Sequence, residues 1–308
     1  MVQSLVNQTL KDWICEIHND GPSDTYPEKY IQSLKDSRFI IKNHPVNLGG
    51  TASFNLAFAG CDEKYASILE DDNWWEPVFL EEMTGLMNNK PELDIAWSNM
   101  NVWKEGEQNT WTNTGSTVWP ESADQTFAWP RPAQALGALH STGAMIWRSV
   151  KAPEYIIPNE TLLDSVELVR ERAFKHPVYL HAKPLANFSI TNTTNRSTES
   201  WKWTACQVMQ LSSMVMASDQ KKELFKHLLT NHQGKKSGTI VNFFLANLFY
   251  IKDGSLYQYF YLHDWLTCSR WLISNNFKLL KLKKHLKAQA AVYDFLLTNT
   301  RQRFKESV

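Results

Sequence analysis

Cysteine is scarce. The 308 residues contain four, Cys15, Cys61, Cys206 and Cys268, and no CxxC pair. That spacing argues against a zinc knuckle or a dense disulfide framework and fits a reducing, cytoplasmic setting. Net charge is also lacking, since Lys+Arg and Asp+Glu both number 32, so no global field draws the chain to nucleic acid. The sequence does not open on a signal-peptide pattern. Its longest apolar runs, such as Ile240 to Ile251, are too short and too interrupted by Asn to span a bilayer, which leaves peripheral membrane contact. After Ser200 no strand pattern recurs, and no repeat period is evident.

The composition that remains is globular: 43% hydrophobic and 21% charged, enough apolar material for one large domain or about two ordinary ones. Tryptophan is abundant, with 13 residues. Buried structural Trp is its commoner use, and stacking on sugar rings or partner surfaces is the other.

The richest stretch in chemistry runs from Tyr65 to Pro77. Tyr65 to Leu69 predicts a short strand that runs straight into Glu70, Asp71 and Asp72. Open α/β sheets place ligands at strand carboxyl ends, and adjacent carboxylates repel unless a cation or a set of donors offsets them. Ligands that are all oxygen favour Mg2+ or Mn2+, which keep water and bridge to substrate phosphates. The alternative is a solvated acidic turn that caps the helix beginning near Pro77.

Upstream, a helix end (Met1 to Asp12) precedes a strand (Trp13 to His18) that closes in the turn-rich run Asn19 to Asp24. A helix (Tyr26 to Leu34), a short β run (Arg38 to Lys42), a loop ending in Gly49-Gly50 and a helix (Thr51 to Gly60) follow. Ser53 and Asn55 fall in the first turns of that last helix, where free N–H groups suit anions. Downstream, the pattern predicts a helix at Pro77 to Asn89, a strand at Leu93 to Trp103, a hairpin turn at Glu105 to Gln108 into Asn109 to Asn113, and β structure at Ala138 to Arg148. Thr161 to Phe174 reads as an amphipathic helix and Val178 to Ala182 as a last short strand. Alternating strands and helices imply a largely parallel sheet. Trp119 to Pro132 lacks any period and reads as one wall of an acceptor pocket. His140 reads as a structural histidine. The polar run Asn187 to Ser200 marks a boundary between residues 1–198 and a helical region, 199–308. There the expected helices are Trp201 to Ala217, Gln220 to Thr230, Thr239 to Ile251, Tyr257 to Ser274 and Phe277 to Thr298, punctuated at Asn231 to Gly238 and Asp253-Gly254. Lys278 to Lys287 interleaves Lys with Leu, which suits either a solvated face on a packed helix or contact with anionic lipid.

Four pieces stand in order: Ser4 to Thr9, Trp13 to Asp24, Asn47-Leu48-Gly49 with Asn55, and Leu69 to Pro77. Together they resemble the family 2 glycosyltransferases of GT-A fold, over about the first two hundred residues. The resemblance implies a Rossmann-like α/β domain with a mostly parallel mixed sheet flanked by helices, followed here by the α-helical C-terminal region. It implies that Asp20 contacts the nucleotide base, that Glu70 lies near the ribose, that Asp72 binds the metal and that Asp71 fills the variable middle position, with Asn73 where many relatives have Asp. Asn55 belongs to the same nucleotide-sugar set. The catalytic base corresponds to Asp164, with Glu167 one turn later in reserve, because the Glu that usually precedes the base is absent. Phe188, Ser189 and Thr191 replace the Tyr, Arg and His of the family's late loop. The family's first strand has no counterpart, so an internal start at Met1, with a strand upstream, is expected.

The function so implied is inverting, metal-dependent transfer of a sugar from a nucleotide diphosphate sugar to a hydroxyl of a saccharide or lipid-linked acceptor, in cell-surface polysaccharide assembly. The alternatives are a nucleotide-sugar-binding or scaffold protein without turnover, and a docking module formed by the helical tail.

Overall fold

The computed structural model describes residues 1–107, 110–131, 134, 137–139, 141–192, 199–231, 236–252, 254 and 256–306. Contacts group the chain into two compact units, one of residues 1–125, 142–159 and 179–192, the other of residues 126–141, 160–178 and 193–308.

The first unit begins with α1 (Val2–Val6), β1 (Cys15–Asn19), α2 (Tyr26–Leu34), β2 (Phe39–Asn43), α3 (Gly50–Leu56), β3 (Tyr65–Ser67), β4 (Trp74–Trp75) and α4 (Phe79–Asn89). Then come β5 (Ile95–Glu105), β6 (Trp111–Thr117), β7 (Gln125–Phe127), β8 (Met145–Arg148) and, after a departure into the second unit, β9 (Val178–Ile190). β1 and β2 form a parallel pair of their own. The main sheet has the order β3-β8-β5-β9-β4, with β6 also on β5. The β5–β9 pair is parallel, whereas β3–β8, β5–β8, β5–β6 and β4–β9 are antiparallel. The expected mixed sheet flanked by helices is therefore present, but it is not largely parallel as expected: β5–β9 is its parallel pair, and the short β5–β6 connection and the returns to β8 and β4 pair antiparallel.

Helix α4 buries Phe79, Leu80, Met83 and Met87, a stripe at helical spacing that packs with Leu93, Ala96 and Met100 of the β5 region and with Ile146 and Leu185. Gln8 is fully buried and ties α1 to the head of α4. Its Nε2 donates to the Ser4 and Glu76 carbonyls at 3.0 and 2.8 Å, and its Oε1 accepts from Leu80 N at 3.0 Å. Thr9 adds N–H to the Pro77 carbonyl at 2.8 Å. Gln8 thus satisfies the Leu80 N–H at a helix start that has no side-chain cap of its own.

The second unit is helical: α5 (Val166–Arg170), α6 (Ser200–Ala217), α7 (Lys221–Asn231), α8 (Lys236–Ala246), α9 (Leu262–Ser274), α10 (Asn276–Ala288) and α11 (Ala290–Glu306). α6 is buried along most of its length, and its Gln210 accepts two bonds from the buried Arg172 guanidinium, at 2.9 and 2.7 Å. Among the described residues no helix is long and apolar enough to cross a membrane.

Several expectations are corrected. The helix expected over 161–174 is two 3-10 turns around the short α5. Arg170, Glu171 and Arg172 are all buried there, and three consecutive charged side chains cannot share one face of a regular helix. Glu171 reaches Gln134 Nε2 at 2.9 Å and Leu139 N at 2.5 Å, while Arg172 turns to Gln210. Among the described residues of 138–148, β structure is confined to β8, preceded by a 3-10 turn at Thr142–Ala144. The last strand is longer than expected, Val178–Ile190. The helix expected over 277–298 is two helices that break at Gln289. His140, Gln108 and Asn109 of the expected hairpin, Pro132, residues 193–198 of the polar run, residues 232–235 and Asp253 lie outside the described residues.

Candidate nucleotide-sugar site

The acidic turn closes with a 3.2 Å bond from Asn73 N–H to the Glu70 carbonyl. Asn73 is 1% exposed and binds in two directions, donating from Nδ2 to Glu70 Oε2 at 2.5 Å and accepting at Oδ1 from Ser189 N at 2.9 Å. The turn is thus fastened to β9 by a buried amide, and Glu70 is fixed in orientation. Gly143 makes room for this: a Cβ there would lie 2.7 Å from Glu70 Oε2 and 3.2 Å from Asn73 Nδ2. Its carbonyl also accepts from Trp75 Nε1 at 2.8 Å.

Asp71 and Asp72 remain open to solvent. Partial desolvation, reinforced by Asp71 next door, raises the Asp72 carboxyl above its ordinary value. Its own backbone N–H and the Ser189 hydroxyl pull it partly back. Ser189 is 3% exposed. Crowded negative charge of this kind is an arrangement that a cation would offset. Among the described residues no three acids, imidazoles or thiols converge as a ready-made metal cage. The donor set fits instead an ion held by one or two carboxylates, with water and phosphate oxygens filling the other positions.

Asp20 organises a second loop. Its Oδ1 accepts from Leu48 N at 2.7 Å, and its Oδ2 from Ser53 Oγ at 2.9 Å and Gly49 N at 3.2 Å, while its carbonyl accepts from Asn47 Nδ2 at 2.9 Å. These donors, Leu48 first, hold its carboxyl below the usual range. Gly49 has φ +81°, a conformation open to glycine, and it places the loop at the start of α3. Asn55 is elsewhere than expected. It lies in the last turn of α3, buried, with its amide bonded to Ile157 O at 2.8 Å, Asn159 Oδ1 at 3.0 Å and Ile157 N at 3.2 Å. That pairing makes it a pin between α3 and residues 157–159.

Next to the acidic turn runs a polar and aromatic sheet face. Register pairs Trp74 with Asn187 on β9, Asn101 with Asn187, Trp103 with Ser189 and Asn113, and Glu105 with Trp111. Buried Asn187 is the hub. It accepts from Trp103 Nε1 at 2.8 Å and from Asn101 Nδ2 at 3.3 Å, and it donates to Glu76 Oε1 at 2.8 Å. Trp74 packs against Trp103 at 5.4 Å and against the exposed Trp111 at 6.0 Å between ring centroids. The start of the irregular segment is fastened at Trp119, whose backbone pairs with the Asn99 amide at 2.9 and 3.1 Å. Asp124 holds its far part by accepting from Tyr179 OH at 2.6 Å and Ala182 N at 2.9 Å.

Asp164 and Glu167 belong to the second unit. Asp164 is exposed in the 3-10 turn Leu163–Ser165, and Glu167 lies in the first turn of α5, where its charge favours the protonated Arg170. Gly143 and Asn187 were not singled out from the sequence. Nothing in Ser-Thr-Gly-Ala signals a carboxylate seated against it, and an Asn inside a strand signals at most a buried polar contact.

Gly143→Ala is expected to push Glu70 off Asn73 and cost about 1–3 kcal/mol through the broken buried pairs. Thermal denaturation measures the loss, and hydrogen exchange at the Ser189 amide should speed up; unchanged protection there would contradict the geometry.

Residues 1–151 match the family model for glycosyl transferase family 2. An uncharacterized glycosyltransferase of Methanocaldococcus jannaschii is 34% identical over 113 residues, covering 34% of this chain and 39% of the relative, so the match spans well under half of that protein. The crystal structure of S. aureus TarS 1-349 in complex with UDP superposes with a TM-score of 0.54 at 12% identity, covering 100% of this chain and 87% of the other. The longer S. aureus TarS structure gives the same TM-score at 11% identity, with 94% and 52% covered. The shared fold is therefore of the GT-A type seen in TarS, and residues 1–151 are similar to the glycosyltransferases of family 2.

Proposed function

We propose that the chain transfers a sugar, with inversion, from a nucleoside diphosphate sugar to a hydroxyl of a saccharide or lipid-linked acceptor, with Mg2+ or Mn2+, at the cytoplasmic side of cell-surface polysaccharide assembly. In this reading residues 1–198 form the transferase domain and 199–308 a helical extension. The observation that carries it is the acidic turn, held rigid by Asn73 while Asp71 and Asp72 stay open to solvent beside it.

Glu70, fixed by Asn73, orients the ribose and sugar portion of the donor. Asp20 acts by shaping the Asn47–Gly49 loop as one wall for the base. Asp72, with Asp71 beside it, would hold the divalent ion. When bound, that ion would offset the charge that grows on the departing diphosphate. The acceptor hydroxyl attacks the anomeric carbon in line, the bond to the diphosphate oxygen breaks, and Asp164 takes the hydroxyl proton. The Trp74–Trp103–Trp111 face supports the saccharide acceptor, since indole faces stack on pyranose rings and the neighbouring amides pair with hydroxyls.

Calorimetric titration of UDP and of GDP, with and without Mn2+, tests the reading. Metal-dependent binding of one of them is expected, and a donor screen should then yield transfer. A folded sample that binds neither would remove the proposal, and binding without transfer to any acceptor would favour a nucleotide-sugar-binding protein without turnover.

A further inference from the structure

We propose that helices α9 and α10 dock the protein on an anionic lipid surface. The inference stands apart from the transferase reading and rests on an exposed apolar face in the second unit. Leu262 and Ile273 of α9 are each 78% exposed and Leu266 is 51% exposed, while Phe277 and Leu280 of α10 are 81% and 71% exposed. At 100° per residue, Leu262, Leu266 and Ile273 fall within about 40° of one another on α9. On α10, Phe277 and Leu280 share one side with Lys281 and Lys284, opposite the buried Leu282 and Leu286.

Charge selects the occupant. The chain as a whole is neutral, yet from Leu262 to Ala288 it carries Arg270, Lys278, Lys281, Lys283, Lys284 and Lys287 against the single acid Asp264. Asp264 is buried and accepts from Tyr261 N at 2.8 Å as part of the α9 cap, with His263 Nε2 at 3.1 Å. Glu199, whose field Lys281 reaches, is paired with Lys202. The exposed surface of the helix pair is thus apolar and cationic. Exposed apolar side chains flanked by lysines suit a lipid surface, where the apolar groups enter the acyl boundary and the lysines reach phosphate headgroups with their stems lying along it.

Co-sedimentation of the full chain with phosphatidylglycerol-containing vesicles and with pure phosphatidylcholine vesicles tests the proposal. Binding to the former, weakening with salt, is expected. Lys281→Glu with Lys284→Glu should lower affinity by roughly fivefold or more per site. Phe277→Asp with Leu280→Asp should lower it by roughly tenfold or more. Both pairs change exposed positions, so circular dichroism should report an unchanged fold. Absence of binding to either vesicle, or equal binding by wild type and both variants, would overturn the proposal. So would a concentration-dependent oligomer in lipid-free buffer that Phe277→Asp dissolves while vesicles fail to bind, since the face would then meet protein.

Discussion

Asp72→Asn is expected to abolish metal-dependent binding of a nucleoside diphosphate and, at the same time, to raise the melting temperature of the unliganded protein. The first effect follows from the donor set: Asp72 is the proposed carboxylate ligand, and loss of such an electrostatic partner costs roughly 100- to 1,000-fold in turnover. The second follows from the direction of its titration. Desolvation and Asp71 raise the Asp72 carboxyl in the folded state, so folding disfavours its ionised form. That penalty is absent below the unfolded carboxyl range, grows as pH rises through the unfolded and then the folded value, and is full at neutral pH. A neutral amide escapes it. Mn2+ should stabilise the wild type at neutral pH, where the carboxylate is ionised, and less in acid, because a ligand that binds only the folded state shifts its equilibrium. Melting curves of the wild type and Asp72→Asn across pH, with and without Mn2+, check all of this. A variant that melted lower in the absence of metal would show that Asp72 supports the fold, and one that kept metal-dependent binding would move the ion elsewhere.

Asp164→Asn is expected to leave donor binding intact and reduce transfer by roughly 100- to 10,000-fold, the range for loss of a positioned general base. Glu167→Gln is the comparison. Its carboxylate favours the protonated form of the buried Arg170, so its neutralisation should chiefly affect stability. Single-turnover transfer with saturating donor separates these effects from weakened binding. Full transfer by Asp164→Asn with loss in Glu167→Gln would exchange the two roles.

Much of the first unit was legible from pattern. The helix Tyr26–Leu34 follows from its Pro near the start and its apolar spacing, and the acidic turn announces itself as three acids behind an apolar run. The last strand is expected to end at Ala182, yet it runs on through Pro184. In the sheet Pro184 sits where the register against β5 shifts, between the Ser98–His181 and Asn99–Pro184 pairs, and a bulge tolerates a residue without an N–H. The strand therefore continues to Ile190 and delivers Asn187 and Ser189. Asn55 shows the opposite limit. Its place in the motif suggests a ligand contact, yet its partners are 102 and 104 residues away, a tertiary pairing that local periodicity does not encode.

Those long separations carry a kinetic consequence. Gln8 grips residues 68 and 72 positions away, and Asn73 grips Ser189 across 116. Closing such loops removes chain entropy before the contacts return stabilisation, so contacts of this kind form late. The acidic turn thus matures only when α1, α4 and β9 have already met. Amide exchange at Asn73 and Ser189 should accordingly track global opening of the first unit rather than local fraying, which makes these two protons reporters of whole-unit folding.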